Sequence, residues 1–213
     1  MDGAMGTYYS EKYGKESGSP ENDNLTAPQK IEEIHREYIE AGADILRTNS
    51  FASNIRTLCA GNAGRTTREE QLQTVYENVA ASCRIARSAV EQECNRAKEE
   101  GREIKEIYIA GDIGPVSGKR GGEEQDEELA EEYKTMAKAH LVAGLKLIWF
   151  ESFPDFEYIL PVAEWIKSVS DAFVMASFSV NVFGYTKTGT GMRELLKTAK
   201  ESDLIDGIGF NCG

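Results

Sequence analysis

The sequence predicts an α/β fold of the (βα)8-barrel type, and three observations support this prediction. Short apolar stretches alternate with longer amphipathic stretches along the whole chain. The apolar stretches are nearly continuous, which is typical of parallel strands that helices cover on the sheet faces. Each one is followed by polar or small residues, at the strand end where barrel enzymes carry their functional groups.

A repeated motif favours a barrel over an open, doubly wound sheet. Ala41-Gly42 precedes an apolar stretch and Ser50-Phe51, and Ala143-Gly144 precedes another stretch and Ser152-Phe153 with the same spacing. Repetition of a βα unit is typical of barrels, although so short a repeat leaves the open sheet as an alternative. No Gly-x-Gly-x-x-Gly follows the early strands, which disfavours a dinucleotide-binding fold.

The N-terminal part of the chain is predicted to contain a loop, a helix and a strand. Residues 8–27 are polar and rich in Gly, Ser, Asn and Glu, so we expect a long surface loop. A helix follows, with Thr26 as its N-cap and Pro28 in its first turn. Gly42 ends this helix, and residues 43–49 form a short strand. The apolar face of the helix consists of Ile31, Ile34, Tyr38 and Ile39.

The remaining elements continue the alternation. Thr67 is expected to cap a long helix that ends by Gly101, and the acidic run over 123–132 opens another. Strands are predicted over 104–110, with a turn at 111–115, over 145–150, over 173–180 and immediately before Asn211, with further helices over 156–169 and 191–202. Six strand ends result, at Asp2, Thr48-Asn49, Gly111-Asp112, Glu151, Ser179 and Cys212. We therefore interpret residues 1–213 as one domain with about six βα units, incomplete at both ends.

Composition and charge exclude several classes of partner. Acidic residues number 36 against 24 Lys and Arg, a net charge of -12, whereas nucleic-acid binding needs basic surfaces. No apolar run approaches the ~18 residues of a membrane span, and no signal peptide is recognised. The four cysteines show no CxxC spacing. We expect a cytoplasmic protein with reduced thiols that binds neither nucleic acid nor membranes.

Five motifs, in order along nearly the whole chain, resemble the homocysteine S-methyltransferase domain family. The resemblance is to the version found at the start of cobalamin-dependent methionine synthase and in related bacterial enzymes. The motifs are Asp-Gly-Ala-Met-Gly-Thr at 2–7, Ala-Gly-Ala-Asp-Ile at 41–45 with Thr-Asn-Ser-Phe at 48–51, Gly-Asp-Ile-Gly-Pro at 111–115, Glu151 at a strand end, and Gly-Phe-Asn-Cys at 209–212. Each motif is weak alone, and the five in sequence are specific.

The resemblance implies a zinc site and a catalytic cysteine. Family members bind zinc through three cysteines and present homocysteine as the fourth ligand. Cys212 matches one of these ligands, which makes it the expected metal ligand and catalytic residue. The other two form an adjacent Cys-Cys pair that this sequence lacks. We therefore expect either a truncated barrel or further strands on another segment.

Six residues are implied to bind the substrate, namely Asp2, Gly3, Thr48, Asn49, Glu151 and Asn211. Glu151 matches the residue that accepts the homocysteine ammonium, and Asp2 is expected to order the same end of the barrel. Gly3 allows close backbone approach to a ligand, and Asn211 is expected to fix the metal loop by hydrogen bonds. For Thr48 and Asn49, and for Asp112 beside them, a loop-ordering role is the alternative.

The other histidines and cysteines are assigned to packing. His35 and His140 lie in helical patterns, and barrel helices lie outside the strands, away from the site. Cys59, Cys83 and Cys94 lie on predicted loops or helices rather than at strand ends.

The resemblance implies methyl transfer to the thiol of homocysteine, giving methionine. The implied donor is methylcobalamin or methyltetrahydrofolate carried by other modules, with a corrinoid-binding module or protein as partner. Betaine and S-methylmethionine are alternative donors. A different hypothesis is a non-catalytic barrel fragment that another segment or chain completes. A third is a metal-free barrel enzyme using Glu151 and Asp112 as an acid–base pair, which requires the two carboxylates to converge.

Overall fold

The computed structural model of the protein describes residues 1–15, 18–62, 65–116 and 123–211. The strands within these ranges are β1 Ile45–Arg47, β2 Tyr108–Ile113, β3 Leu147–Phe153, β4 Phe173–Ser179 and β5 Gly207–Asn211. The α-helices are α1 Met5–Tyr13, α2 Asp23–Thr26, α3 Pro28–Glu40, α4 Ile55–Leu58, α5 Arg68–Glu99, α6 Glu123–Val142, α7 Ile159–Val169 and α8 Met192–Glu201.

The five described strands form one parallel sheet in the order β1-β2-β3-β4-β5. Every strand pairs with the next strand along the chain, whereas a doubly wound sheet reverses its strand order at a switch point. The sheet is curled into a half-barrel that matches part of a (βα)8 barrel, as predicted. A strand before Asp2 is not among the five, but the Asp2 backbone N–H donates to the Ile45 carbonyl at 2.9 Å and covers the outer side of β1.

The main hydrophobic core lies between the sheet and the helices that cover it. Its fully buried members include Val79 of α5, Met136 of α6, Ile148 of β3, Ile159 of α7 and Val174 of β4. Within the described ranges, no helix combines the length and the apolar composition that crossing a bilayer requires.

Several predicted helix boundaries are confirmed. The Thr67 hydroxyl accepts a hydrogen bond from the Glu70 N–H, and the Glu70 carboxylate accepts one from the Thr67 N–H, which forms a capping box at the start of α5. Pro28 opens α3, whose predicted apolar face is buried at Ile31, Ile34 and Ile39. Gly42 and Gly144 follow α3 and α6 at φ +98° and +82°, conformations that glycine adopts without strain.

The predicted surface loop over residues 8–27 is wrong. This segment contains α1 and α2, and Tyr9 is fully buried against Ile31 and Ile34. The apolar residues of α1, Met5, Tyr8, Tyr9 and Tyr13, follow helical spacing and pack on one cluster, whereas the prediction relied on the polar composition of the segment. Thr26 is not the N-cap of α3, because it ends α2 and donates its hydroxyl to the Asn22 carbonyl at 3.1 Å.

Two strand boundaries also differ from the prediction. β2 begins at Tyr108, after exposed residues 102–106, and it includes the stretch Gly111–Ile113 that was predicted as a turn. Gly111 suits this strand because α6 packs directly on it: a Cβ at Gly111 would lie 2.5 Å from Cγ of His140. β3 continues past Glu151 to Phe153, with a shift of pairing register between Phe150 and Phe153.

Candidate active site

A cavity of about 360 Å³ opens at the carboxyl ends of β1, β2 and β3. The N-terminal segment and residues 19–21 complete its wall. The charged and polar residues that line it include Asp2, Arg47, Asp112, Glu151 and Ser152. This is the end of the sheet where the sequence predicted the functional groups.

Arg47, the last residue of β1, joins three separate parts of the chain. Its Nε donates to Asp2 Oδ1 at 2.8 Å, its Nη2 donates to the Gly3 carbonyl at 2.7 Å, and its Nη1 donates to Glu151 Oε1. The guanidinium also lies over the ring of Trp149, 5.8 Å from the centroid. Only 11% of the side chain is exposed, so these contacts fix its position.

Asp2 and Gly3 are held at the site by these bonds. Asp2 Oδ2 accepts from the Arg47 backbone N–H at 2.7 Å, so both of its carboxylate oxygens bond to Arg47. Burial raises the pKa of Asp2, and the charge and hydrogen bonds of Arg47 oppose that rise. A Cβ at Gly3 would lie 3.0 Å from the ring of Tyr38, so this glycine permits close packing on α3. Gly3 also lines the cavity, and its close approach to a ligand stays a prediction.

Glu151 and Asn211, which were both predicted at strand ends, contact each other. Asn211 Nδ2 donates to Glu151 Oε1 at 2.9 Å and to Ser152 Oγ at 2.8 Å. Adjacent side chains of a regular strand point to opposite faces, yet Glu151 and Ser152 both line the cavity. The cause is local: Ser152 adopts φ +60°, within the irregular part of β3.

Asp112 is a third carboxyl group beside Arg47 and Glu151. Burial above all, and then the negative charge of Glu151, raise the pKa of Asp112 well above its ordinary value. Burial alone would lower the pKa of Arg47, but the charges of Asp112, Asp2 and Glu151 outweigh it and raise that pKa. The guanidinium therefore stays charged among three carboxyl groups. Glu151 and Asp112 converge, which is the arrangement the acid–base hypothesis requires.

Thr48 and Asn49 use their polar atoms inside the protein. Thr48 Oγ1 accepts from the Asp112 N–H at 2.9 Å and contacts Ser50 Oγ at 2.7 Å. Asn49 Nδ2 donates to the Pro20 carbonyl and to Asn24 Oδ1, both at 2.9 Å. These contacts favour the loop-ordering alternative for both residues.

A buried amide network holds the cavity wall formed by residues 19–21. Asn78 of α5 donates to the Glu21 carbonyl at 2.8 Å and accepts from Asn24 at 2.9 Å and from Ser53 at 2.8 Å. Glu21 Oε1 in turn accepts from the Ala52 N–H at 2.9 Å. One helix thus fixes both the wall and the loop that follows β1.

Neither histidine lines the cavity. His140 Nε2 lies 3.2 Å from Thr48 Oγ1 and 3.1 Å from Ser50 Oγ, so it supports the loop after β1 from behind. His35 is fully buried, and its ring nitrogens have no hydrogen-bond partner among the described residues. Burial lowers the pKa of His35 to about 4 and that of His140 to about 3, so both rings are neutral.

The described residues do not form a zinc site. Cys212 lies outside them, immediately after Asn211. In the described ranges, no three His, Cys, Asp or Glu side chains are arranged to hold a metal, and Arg47 occupies the centre of the acidic cluster. Cys59 and Cys83 are free and buried, and burial raises the pKa of each thiol. The zinc prediction therefore rests on the family resemblance.

Arg47 is the site residue that sequence reasoning missed. A charged residue inside the short, otherwise apolar stretch Ile45-Leu46-Arg47 could have indicated it, because a buried arginine needs carboxylate partners. The partners themselves, Asp2 and Glu151, are far away in sequence, so their convergence on Arg47 was not visible before folding.

Comparison with known proteins agrees with this architecture. The family model described as Homocysteine S-methyltransferase matches residues 1–213. Homocysteine S-methyltransferase YbgG of Bacillus subtilis is 26% identical over 100% of this chain and 68% of its own length. Methionine synthase of Mycobacterium tuberculosis is 28% identical over 99% of this chain but only 17% of its own length. Homocysteine S-methyltransferase of Escherichia coli is 26% identical over 87% of this chain and 59% of its own length.

Solved structures show the same fold. The metallated form of the homocysteine methyltransferase MmuM from Escherichia coli superimposes with a TM-score of 0.78 at 21% identity, over 100% of this chain and 73% of that one. Its oxidized form gives a TM-score of 0.79 at 22% identity, over 99% and 72%. With the family model matched from the first residue to the last, the chain belongs to the homocysteine S-methyltransferase family.

Proposed function

We propose that this chain binds homocysteine as a methyl acceptor and takes part in methyl transfer to its thiol, giving methionine. Family membership supports the reaction class. The observation that carries the assignment to this cavity is the cluster of Asp2, Arg47, Asp112 and Glu151 at the carboxyl ends of the strands. An amino acid substrate needs charged partners there, because its ammonium and carboxylate lose water on binding.

Charge balance favours an ammonium ligand. Asp2 and Glu151 both form ion pairs with the one guanidinium of Arg47, and Asp112 is a third carboxyl group beside them. Carboxyl groups therefore outnumber cationic groups in this mostly buried cluster, which favours a bound ammonium. Glu151 is our candidate partner for that ammonium, with Asn211 holding one of its oxygens.

The proposed zinc, donor and partners come from the resemblance. Cys212 would supply one zinc ligand, and bound zinc would supply a Lewis acid that keeps the substrate sulfur as a thiolate. Similarity to a methionine synthase favours methylcobalamin or methyltetrahydrofolate as donor and a corrinoid-binding module as partner. Betaine and S-methylmethionine are the alternative methyl donors. The alternative for the chain as a whole is a non-catalytic barrel fragment that another segment or chain completes.

Homocysteine binding tests the acceptor site. We expect calorimetry to show binding by the unchanged chain, weakened roughly 10- to 100-fold by Glu151→Gln, because a charged hydrogen bond to the ammonium is lost. Glu164→Gln, at an exposed position of α7, is the matched control and leaves affinity unchanged. Equal affinity of both variants, or no binding by the unchanged chain, would contradict the assignment.

Elemental analysis tests the metal separately. Zinc per chain is measured after dialysis, with and without homocysteine, for the unchanged chain, for Cys212→Ser and for Cys94→Ser, a partly exposed thiol on α5. Zinc that is lost only with Cys212→Ser supports the proposed ligand. Zinc at background in every sample means that the described chain needs a further segment to hold the metal.

A second candidate function is metal-free proton transfer by Asp112 and Glu151. Their convergence favours it, since a carboxyl group whose pKa is raised by burial can act as a general acid. Asp112→Asn separates the two functions, because an amide keeps the shape and a hydrogen-bond donor but cannot release a proton. Homocysteine affinity should change by less than about threefold in this variant if Asp112 only shapes the site.

A further inference from the structure

We propose that Arg47 binds the carboxylate of the substrate and thereby makes the site specific for thiols that are also α-amino acids. This inference rests on the proposed function, and it assigns a role to a residue that the motifs of the family resemblance do not include. Its basis is the number of hydrogen-bond donors that Arg47 retains, the rigidity of its side chain and the charges that surround it.

Arg47 retains hydrogen-bond donors that its described contacts do not use. A guanidinium carries five N–H donors, and the described contacts use one on Nε, one on Nη1 and one on Nη2. One N–H on each terminal nitrogen therefore has no partner among the described residues. Arginine binds a carboxylate through two parallel hydrogen bonds when N–H groups on two of its nitrogens point to the same side.

The side chain is also held in place before any ligand arrives. Asp2 binds both its Nε and its backbone N–H, and the ring of Trp149 lies 5.8 Å from the guanidinium carbon. A cation fixed in this way loses little conformational entropy on binding. Arg47 lines the cavity of about 360 Å³, a volume within the usual range for small-molecule sites.

The surrounding charges match an α-amino acid. Its ammonium and carboxylate are attached to the same carbon, so a complementary site must place a negative and a positive group side by side. Arg47 lies in direct ion pairs with Asp2 and Glu151 and provides that arrangement. The neighbouring polar side chains of Thr48 and Asn49 are bonded within the protein. Arg47 is therefore the cationic group of the cavity that faces the substrate carboxylate.

Three thiols that differ in one charged group test this inference. Homocysteine carries both groups, 4-mercaptobutyrate lacks the ammonium, and 3-mercaptopropylamine lacks the carboxylate. Calorimetry compares their affinities for the unchanged chain and for Arg47→Met. We expect Arg47→Met to weaken homocysteine and 4-mercaptobutyrate by roughly 10- to 100-fold and 3-mercaptopropylamine by less than about threefold.

Two further variants serve as controls for the interpretation of Arg47→Met. Arg193→Met, at an exposed position of α8, is the matched control and leaves all three affinities unchanged. Arg47→Lys keeps a positive charge beside Asp2 and Glu151 but lacks the planar pair of donors. This variant should bind 3-mercaptopropylamine with the affinity of the unchanged chain and should bind homocysteine more weakly. The comparison tests the carboxylate role of Arg47 even if Arg47→Met does not fold.

The measured affinities distinguish a failure of the carboxylate role of Arg47 from a failure of the proposed homocysteine site. If both Arg47 variants weaken the three thiols by the same factor, Arg47 only positions Asp2 and Glu151, and the carboxylate role is wrong while the homocysteine site stands. If the unchanged chain binds 4-mercaptobutyrate through Arg47 but not homocysteine, the carboxylate role stands and the proposed substrate is wrong. If it binds none of the three, both proposals are wrong.

Discussion

The two edges of the sheet differ in how completely they are covered. At the first edge, Leu46 of β1 is fully buried, and the N-terminal segment lies against the strand through the Asp2–Ile45 hydrogen bond. At the last edge, all five residues of β5 are partly exposed, and β4 is the only strand that pairs with β5 among the described residues. The charged cluster around Arg47 lies toward the covered edge.

This difference shows why the site is assembled where it is. Charges interact more strongly where water is excluded, so Arg47 and its carboxylates gain most from the covered edge. β5 contributes one side chain, Asn211, which reaches Glu151. Elements with little buried apolar surface open most easily. One side of the site is therefore rigid, and the other depends on the stability of a partly exposed strand.

The largest expected contrast comes from removing apolar side chains at the two edges. Leu46→Ala removes a fully buried side chain from β1 and should lower the free energy of unfolding by about 2–5 kcal/mol. Ile208→Ala, at a partly exposed position of β5, should cost roughly 1 kcal/mol. Urea unfolding of the two variants measures the difference. Equal losses would mean that the β5 edge is as well covered as the β1 edge.

Adding a methyl group provides the converse test. Gly111→Ala places Cβ 2.5 Å from Cγ of the buried His140, which should destabilise the protein by about 1–3 kcal/mol. Gly209→Ala in β5 meets Met175 Cε at 3.4 Å, an ordinary contact, and should change stability by less than about 0.5 kcal/mol. Thermal unfolding of both variants checks the pair. A stable Gly111→Ala protein would show that α6 can move away from β2.

Acid should act first on the covered edge, because both buried histidines lie behind it. The pKa of His35 is about 4 in the folded chain, below its ordinary value of 6.5, so the folded state binds fewer protons between these pH values. Stability therefore falls as pH decreases through this window, by up to about 1.4 kcal/mol per pH unit for one histidine.

Replacing His35 isolates this effect from the titration of the carboxyl groups. We expect His35→Leu to flatten the acid side of the stability–pH profile, since the ring has no hydrogen-bond partner among the described residues to lose. Chemical unfolding at several pH values gives both profiles. Parallel profiles for the variant and the unchanged chain would show that His35 is not the neutral, buried group inferred from its position.

The smallest effect is expected in the loop that follows β4, the neighbour of β5. Phe183 is 82% exposed, so Phe183→Ser should change the free energy of unfolding by less than about 0.5 kcal/mol. The same urea titrations used for the edge variants measure it. A loss above roughly 1 kcal/mol would mean that this loop packs against another surface in solution.

Much of the sheet and its functional end could be predicted from sequence. The strands after Gly144 are strongly apolar, and Glu151 and Asn211 follow from their positions at strand ends. These features depend on local pattern. The role of Arg47 could not be predicted in the same way, because it depends on partners that are distant in sequence. Within residues 8–27, Tyr8, Tyr9 and Tyr13 keep helical spacing with Met5, but the polar composition of the segment favoured a loop.

The close packing of His140 on Gly111 has a consequence for how sequences of this kind can diverge. The imidazole ring occupies the space that a β-carbon at position 111 would need, so position 111 cannot take a larger residue while His140 stays in place. Any larger residue at 111 requires a smaller residue at 140, and that exchange would also remove the ring that supports Thr48 and Ser50. The absence of a side chain at Gly111 thus couples the permitted substitutions in β2, in α6 and in the loop beside the cavity.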